Sequence, residues 1–306
     1  MSLPKLVGYM FVAALTAGTC AAQTSERIVE LVKKLHDSSS HPPMLVIAHR
    51  SCWWDGAPEN SLTAIRECLA MGVDGIELDV VKTSDGQLIA MHDKTVNRMT
   101  EGKGDIAQMT LAQVTALHLR ARFGGEFAPV TEEHVPTVEE ALRLAKDHFL
   151  VHLHLKVPNE EAEVAKLIDR MGMKEQVTVW LGDKPGDASV ASSPLFGHAN
   201  VISTVNECVD ASPCTPMPVT NLTGFAPYHP VAFNVNFKDH EFLAQVISAP
   251  RPADVRIAGN TLYGYDTGAM DQLIAEWNKQ MDLGVSLIMT NRPKELMDLV
   301  KKREAH

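Results

Sequence analysis

The stretch Leu45-Val46-Ile47-Ala48-His49-Arg50 leads, through a helical pattern over Ser61–Met71, into Gly75-Ile76-Glu77-Leu78-Asp79-Val80. An apolar run, an amphipathic helix and a second strand in that order make a β–α–β unit. The second strand alternates apolar with acidic, so Glu77 and Asp79 point to one side of it. Outward from this unit, strand patterns recur at Leu150–Lys156, Val177–Leu181, Val201–Thr204, Val231–Phe237, Val255–Asn260 and Ser286–Thr290. Helical patterns fall between most of them, at Thr137–Asp147, Glu160–Met171, Asp239–Ile247 and Gly268–Leu283, with a last one at Pro293–Arg303. Eight strands in a chain of 306 residues, 45% of them hydrophobic, predict a single α/β domain, a (β/α)8 TIM barrel. No helical pattern follows Val201–Thr204.

Barrel strands carry functional residues at their C-terminal ends. His49-Arg50, Glu77-Asp79 and Lys156 all lie there on this reading. Asp85-Gly86 is a two-residue turn signal, with Leu88–His92 as the returning strand. A hairpin centred on it pairs residues whose numbers sum to 171, which sets His92 opposite Asp79. In Val151-His152-Leu153-His154-Leu155-Lys156 the polar side chains share one face and the apolar ones the other, so both histidines and Lys156 look into the barrel. Two imidazoles can move protons near neutral pH. Paired carboxylates can hold a hard cation against a phosphate. Arg50 can grip phosphate oxygens with two parallel hydrogen bonds, and Lys156 adds a point charge. These are the parts of a phosphodiester-cleaving site. Asn60 is expected to be the N-cap of the Ser61–Met71 helix. Trp53 and Trp54 are expected beside the site, in the loop after His49, to shield it, to contact an alcohol group or simply to cover the barrel rim.

The order His49-Arg50, Pro58-Glu59-Asn60, Gly75 to Val80, Asp85-Gly86, His92-Asp93, then Arg98-Met99-Thr100 and Gly102, resembles the glycerophosphodiester phosphodiesterases. Val135-Pro136-Thr137-Val138-Glu139-Glu140 and Thr290-Asn291-Arg292-Pro293 extend the resemblance to roughly residues 44–300. The resemblance implies a TIM barrel of the PI-PLC-like superfamily, with an insert at about 94–136 after the His92-Asp93 hairpin. It implies His49 and His92 as general acid and base, Arg50 and Lys156 on the phosphate, and Glu77 and Asp79 on one divalent ion, Mg²⁺ or Ca²⁺. Glu59 would support that ion or orient His49. The products would be glycerol 3-phosphate and an alcohol. The chain departs from the family at His154, which stands where a third carboxylate is expected. As a ligand His154 would turn the preference toward Mn²⁺ or Zn²⁺. Two alternatives stay open: a phospholipase D-like activity on lysophospholipids or sphingomyelin, signalled by an exposed apolar patch near Trp53-Trp54 or the 206–230 loop, and a non-catalytic binding protein with a decayed metal site.

Residues 1–22 read as a secretory signal peptide, with Lys5, an apolar run from Leu6 to Ala17, and cleavage after Ala22. Acylation of Cys20 is the rival, weakened by Thr19 before it. Export to the periplasm or medium is the expectation, with residues 23–43 as a helix and lead-in and 44–306 as the catalytic domain. Lys5 is the only charge in the leader, so the mature chain carries about −11, which argues against nucleic-acid binding. The expected partner is a small glycerophosphodiester or a lysolipid. No segment of the mature chain is long and apolar enough to span a membrane. Cys52, Cys68, Cys208 and Cys214 remain, with Cys208–Cys214 the favoured pair and Cys52–Cys68 a second.

Overall fold

The computed structural model of the chain describes residues 16–208, 219–262, 266 and 268–305. Eight parallel strands close into a barrel: β1 (Leu45–Ala48), β2 (Gly75–Lys82), β6 (Leu150–Leu155), β7 (Val177–Trp180), β8 (Asn200–Asn206), β9 (Pro230–Asn236), β10 (Arg256–Asn260) and β11 (Leu287–Thr290). The neighbour order runs β1-β11-β10-β9-β8-β7-β6-β2, and β2 returns to β1. Every strand expected from the sequence is present. Helices α2 (Leu62–Met71), α4 (Val138–Ala145), α5 (Glu161–Met171), α6 (His240–Ser248), α7 (Met270–Leu283) and α8 (Pro293–Glu304) wrap the outside. Among the described residues, the connections after β7 and β8 hold only 3₁₀ turns, Val190–Ser192 and Thr223–Tyr228, in line with the missing helical pattern after Val201–Thr204.

The strand alternation sorts as period two requires. Ile76, Leu78, Val80, Val151 and Leu153 pack outward with Ile65, Leu142 and Ile168 of the helix layer. Glu77, Asp79, His152 and His154 are left to the interior. Gly75 opens β2 because a side chain there would collide with Ile47 and with the Leu150 carbonyl. The far end of the barrel is plugged by α1 (Thr16–Leu35), whose Leu31 and Leu35 pack on Leu45, Leu150, Val231 and Leu287. Two arginines lock this plug. Arg27 donates to the Val73 and His148 carbonyls at 2.7 and 3.0 Å, and buried Arg256 donates to the carbonyls of Lys34 and Leu35 at the C-terminal end of α1 and of Pro43 just before β1.

The hairpin differs from expectation by one residue. The β2 partner, β3 (Leu88–Ala90), pairs Val80 with Ala90 and Val81 with Ile89, so the numbers sum to 170. Three residues, not two, sit between Thr83 and Gln87, whose backbones close the turn at 2.9 Å. Asp79 therefore faces Met91, its carbonyl accepting from the Met91 amide at 3.1 Å, and His92 follows just beyond. The insert then adds α3 (Leu111–Thr115) and a small antiparallel pair, β4 (His118–Arg120) and β5 (Val130–His134). It has its own core of Val96, Met99, Ile106, Val114 and Leu119, seated on Ile89 and Met91.

Cys52 and Cys68 are disulfide-bonded, tying the loop after β1 to α2. Cys208 is also disulfide-bonded, while its expected partner Cys214 lies outside the described residues, as do residues 1–15 of the expected leader. Among the described residues no helix is long and apolar enough to cross a membrane.

Candidate active site

At the C-terminal mouth of the barrel the chain leaves β1 through His49 and turns at Arg50 and Ser51, both left-handed at φ 53° and 66°. Non-glycine residues adopt this conformation at a cost, and it persists where the surroundings demand it. Here it aims the Arg50 amide at Glu77, which accepts at Oε2 over 2.8 Å. Parallel pairing of β2 and β6 sets Glu77 beside His152 and Asp79 beside His154. Glu77 and Asp79 are fully buried. Glu77 Oε1 and Asp79 Oδ1 accept no aligned hydrogen bond, which is costly for buried carboxylate oxygens. Both face His154 Nδ1, at 3.4 and 3.6 Å. Lys156 Nζ lies 2.9 Å from Asp79 Oδ1, a close ion pair without hydrogen-bond alignment. The three ligand atoms of Glu77, Asp79 and His154 fall within 4.8 Å of one another. Unsatisfied anionic oxygens converging with an imidazole nitrogen fit a divalent cation.

Like charge separates the two acids. Burial opposes the charged form of Glu77, but His154, His49 and Lys156 around it hold its carboxyl well below the usual range. Burial, with Glu77 close by, raises Asp79 despite Lys156, Arg50 and His92. Both catalytic candidates lie within electrostatic reach of the acidic pair, His49 of Glu77 and His92 of Asp79.

Each of these histidines is fixed through Nδ1. His49 Nδ1 meets Asn291 Oδ1 at 2.8 Å, and His92 Nδ1 meets Asp93 Oδ1 at 2.8 Å. Nε2 of each ring is thereby left for proton exchange. His92 and Arg98 hold Asp93 well below the usual carboxylate range. Behind His49, the buried Asp266 accepts from Asn291 N at 2.5 Å and from Thr290 Oγ1 at 2.9 Å, steadying Asn291.

Two expectations are revised. Asn60 is not the N-cap: Ser61 takes that place, accepting from Ala64 N at 3.0 Å. Asn60 instead brackets Asp79, donating to Oδ2 at 2.8 Å and accepting from the Asp79 amide at 3.0 Å. Glu59 stands outside the ligand cluster. Its oxygens are taken by Arg50 Nη1 at 2.9 Å and Arg98 Nη2 at 2.6 Å. Arg98, which the sequence reading left without a role, also clamps Asp93 at 2.8 and 2.9 Å and so joins both histidine neighbourhoods. Trp180 was missed as well. Its ring meets His152 and His154 edge-on, at 4.3 and 4.2 Å between centroids. His152 is core rather than ligand: it bonds Thr178 Oγ1 at 2.9 Å, and burial pushes its pKa down to about 3. Just past Lys156, buried Glu160 is pushed up to about 8 by its burial.

The barrel face gathers two imidazoles, a buried carboxylate pair, an arginine and a lysine, the groups that phosphodiester cleavage needs. Residues 49–192, just under half of the chain, match the Glycerophosphoryl diester phosphodiesterase family. It is 38% identical over 141 residues to a glycerophosphodiester phosphodiesterase of Caldanaerobacter subterraneus, covering 44% of this chain and 56% of the relative. The match thus spans little more than half of that protein. A glycerophosphoryl diester phosphodiesterase crystal structure from Parabacteroides distasonis shares the fold at TM-score 0.68 and 19% identity, over 90% of this chain and 92% of the other. A phosphodiesterase of Oleispira antarctica, solved with the product sn-glycerol-3-phosphate, aligns at TM-score 0.60 and 18% identity, over 84% and 96%.

Proposed function

We propose that this chain is a metal-dependent phosphodiester hydrolase that cleaves glycerophosphodiesters to glycerol 3-phosphate and an alcohol. One observation carries the reading: two histidines, each fixed through Nδ1, flank a buried Glu77–Asp79 pair with Arg50 and Lys156 beside it. The Oleispira product complex, on the same barrel, is consistent with a glycerol phosphate as the phosphorylated product. One of His49 and His92 removes the proton of the attacking oxygen, and the other returns a proton to the departing alcohol. Arg50 and Lys156 offset charge on the phosphoryl oxygens. Glu77, Asp79 and His154 would hold a divalent cation, which when bound polarises the phosphate. With one imidazole among three donors, the set favours Mn²⁺ or Zn²⁺ over Ca²⁺. The test is turnover of glycerophosphocholine by the metal-stripped and reloaded protein. Glycerol 3-phosphate appearing only with a divalent ion supports the reading, and its absence with all of Mg²⁺, Ca²⁺, Mn²⁺ and Zn²⁺ defeats it.

Export belongs to the same proposal. The leader-like residues 1–22 and the Cys52–Cys68 disulfide support it, since such bonds persist in oxidising compartments. N-terminal sequencing of protein from the cell envelope should give a start near Gln23. An acylated Cys20 would mean anchoring instead, and an intact Met1 in the cytosol would end the idea.

A further inference from the structure

Among the described residues four large apolar side chains are strongly exposed, and three sit within eight residues of one another: Phe123 at 56%, Phe127 at 95% and Val130 at 47%. The fourth, Val29, is on α1 at the plugged end. Single exposed apolar residues are ordinary, but a cluster at one spot is not.

This cluster is held in place by the site itself. The loop closes through Ala121 N to Pro129 O at 2.9 Å, and Arg120 Nη1 donates to the Ala128 carbonyl at 2.8 Å. Gly125 N donates to Arg98 O at 2.7 Å, and the Arg98 guanidinium donates to the Phe123 carbonyl. Gly124 is left-handed, φ 72°, and a side chain there would strike the Arg98 backbone. The Glu59 amide donates to Arg122 O at 2.8 Å. Phe123 then packs edge-on against Trp53, 5.7 Å between centroids, and Trp53 Nε1 donates to the His49 carbonyl at 3.0 Å. The loop that displays Phe127 is thus bonded to Arg98, Glu59 and, through Trp53, His49.

We propose that the Arg122–Val130 loop docks the enzyme on a zwitterionic phospholipid surface, with Phe127 inserted and the mouth of the barrel facing the headgroups. This rests on the phosphodiesterase reading of the site and gives it amphiphilic substrates as well as soluble ones. Two features select a lipid surface over a protein. The patch is three side chains on one loop, with the Phe127 ring 95% exposed, whereas a stable protein interface needs a matched face of about 800 Å² per partner. A fluid layer accepts such a ring without a preformed pocket. The flanking charges are also mixed. Arg122 and Glu126 are both exposed, and neither side chain has an ion pair or hydrogen bond among the described residues. One free cation and one free anion beside an inserted ring suit the paired charges of a phosphocholine layer better than an anionic one. Trp54, with Arg292 stacked 4.4 Å from its ring and paired with Glu295, adds an aromatic that sits well at headgroup depth.

The experiment uses the full chain, phosphatidylcholine vesicles and lysophosphatidylcholine micelles. Phe127→Ser should lower vesicle partitioning by roughly 10- to 100-fold, the scale of burying one Phe side chain. It should cut hydrolysis of micellar lysophosphatidylcholine while leaving soluble glycerophosphocholine turnover within about twofold. Phe127→Trp should keep binding, and its emission should shift to the blue on adding vesicles, relative to wild type. Equal partitioning of wild type and Phe127→Ser, or an unmoved Phe127→Trp difference spectrum, overturns the proposal, and so does binding only to another protein. If Phe127-dependent partitioning is found but glycerophosphocholine is not cleaved, the docking surface stands and the catalytic reading falls.

Discussion

Asn60→Ala separates a helix cap from a carboxylate bracket. As an N-cap, Asn60 would be worth about 0.5–2 kcal/mol. The structure assigns it more. It donates one bond to the carboxylate of Asp79 at 2.8 Å and accepts another from the Asp79 amide at 3.0 Å, both buried. A bond to a charged group contributes about 1.5–3 kcal/mol, and an orphaned buried amide costs about 1–3 kcal/mol. Asn60 also sits at φ 59°, a conformation asparagine tolerates and alanine resists by about 1–2 kcal/mol. Allowing for relaxation and water entry, the substitution should cost roughly 3–5 kcal/mol. Equilibrium denaturation in guanidinium at pH 7 measures it, provided the slope is unchanged. Asn60→Asp is the companion, because it keeps the acceptor for the Asp79 amide and the tolerated backbone but sets a second carboxylate against Asp79 Oδ2. It too should destabilise, and its loss should shrink as the pH falls and the pair shares a proton. A cost below about 1 kcal/mol for Asn60→Ala would refute the bracket.

Three further outcomes are expected. His49→Ala and His92→Ala should each lower turnover by roughly 10²–10⁴ without loss of fold, read as kcat on glycerophosphocholine with circular dichroism as the control, and wild-type turnover in either would remove that ring from proton transfer. His154→Glu should raise Ca²⁺ and Mg²⁺ affinity relative to Mn²⁺ and Zn²⁺ by calorimetry, and an unchanged ranking would take His154 out of the ligand set. Glu160, raised to about 8 when folded, favours folding in its neutral form; that contribution is full below its unfolded pKa and fades as pH climbs through about 8, so Glu160→Gln should be the more stable protein at pH 9, by on the order of a few kcal/mol, and equal to wild type near pH 4.

The barrel was legible because it is written in short, local periods. Each of the eight strands is an apolar or alternating run between turn residues, and its inward face follows from alternation alone. The acidic pair, His154 and Lys156 were legible for the same reason. What failed depended on a single residue or on distant partners. Asp85-Gly86 signals a turn but not its length, and one extra residue moved His92 out of direct register with Asp79. Asn60 precedes a helix, and local logic read it as a cap; its true partner is 19 residues on, in another strand. Arg98 and Asn291 carry no local mark of their tasks, since Arg98 reaches back 39 residues to Glu59 and Asn291 lies 242 residues from His49. The insert reads as loop because α3, β4 and β5 are each five residues or fewer.

The plug formed by α1 sets an order of events for the growing chain. The floor of the barrel joins the first described helix to strands near the last: Arg256 reaches 221 residues back to Leu35, and Leu31 and Leu35 rest on Leu287. Contacts of such separation form late, because the intervening loop must first be closed. The helix therefore meets Leu45 and Leu150 early, but its seat is complete only once the strands carrying Arg256 and Leu287 have been made. Until then its leucines remain partly exposed to whatever else in the cell can hold a greasy helix.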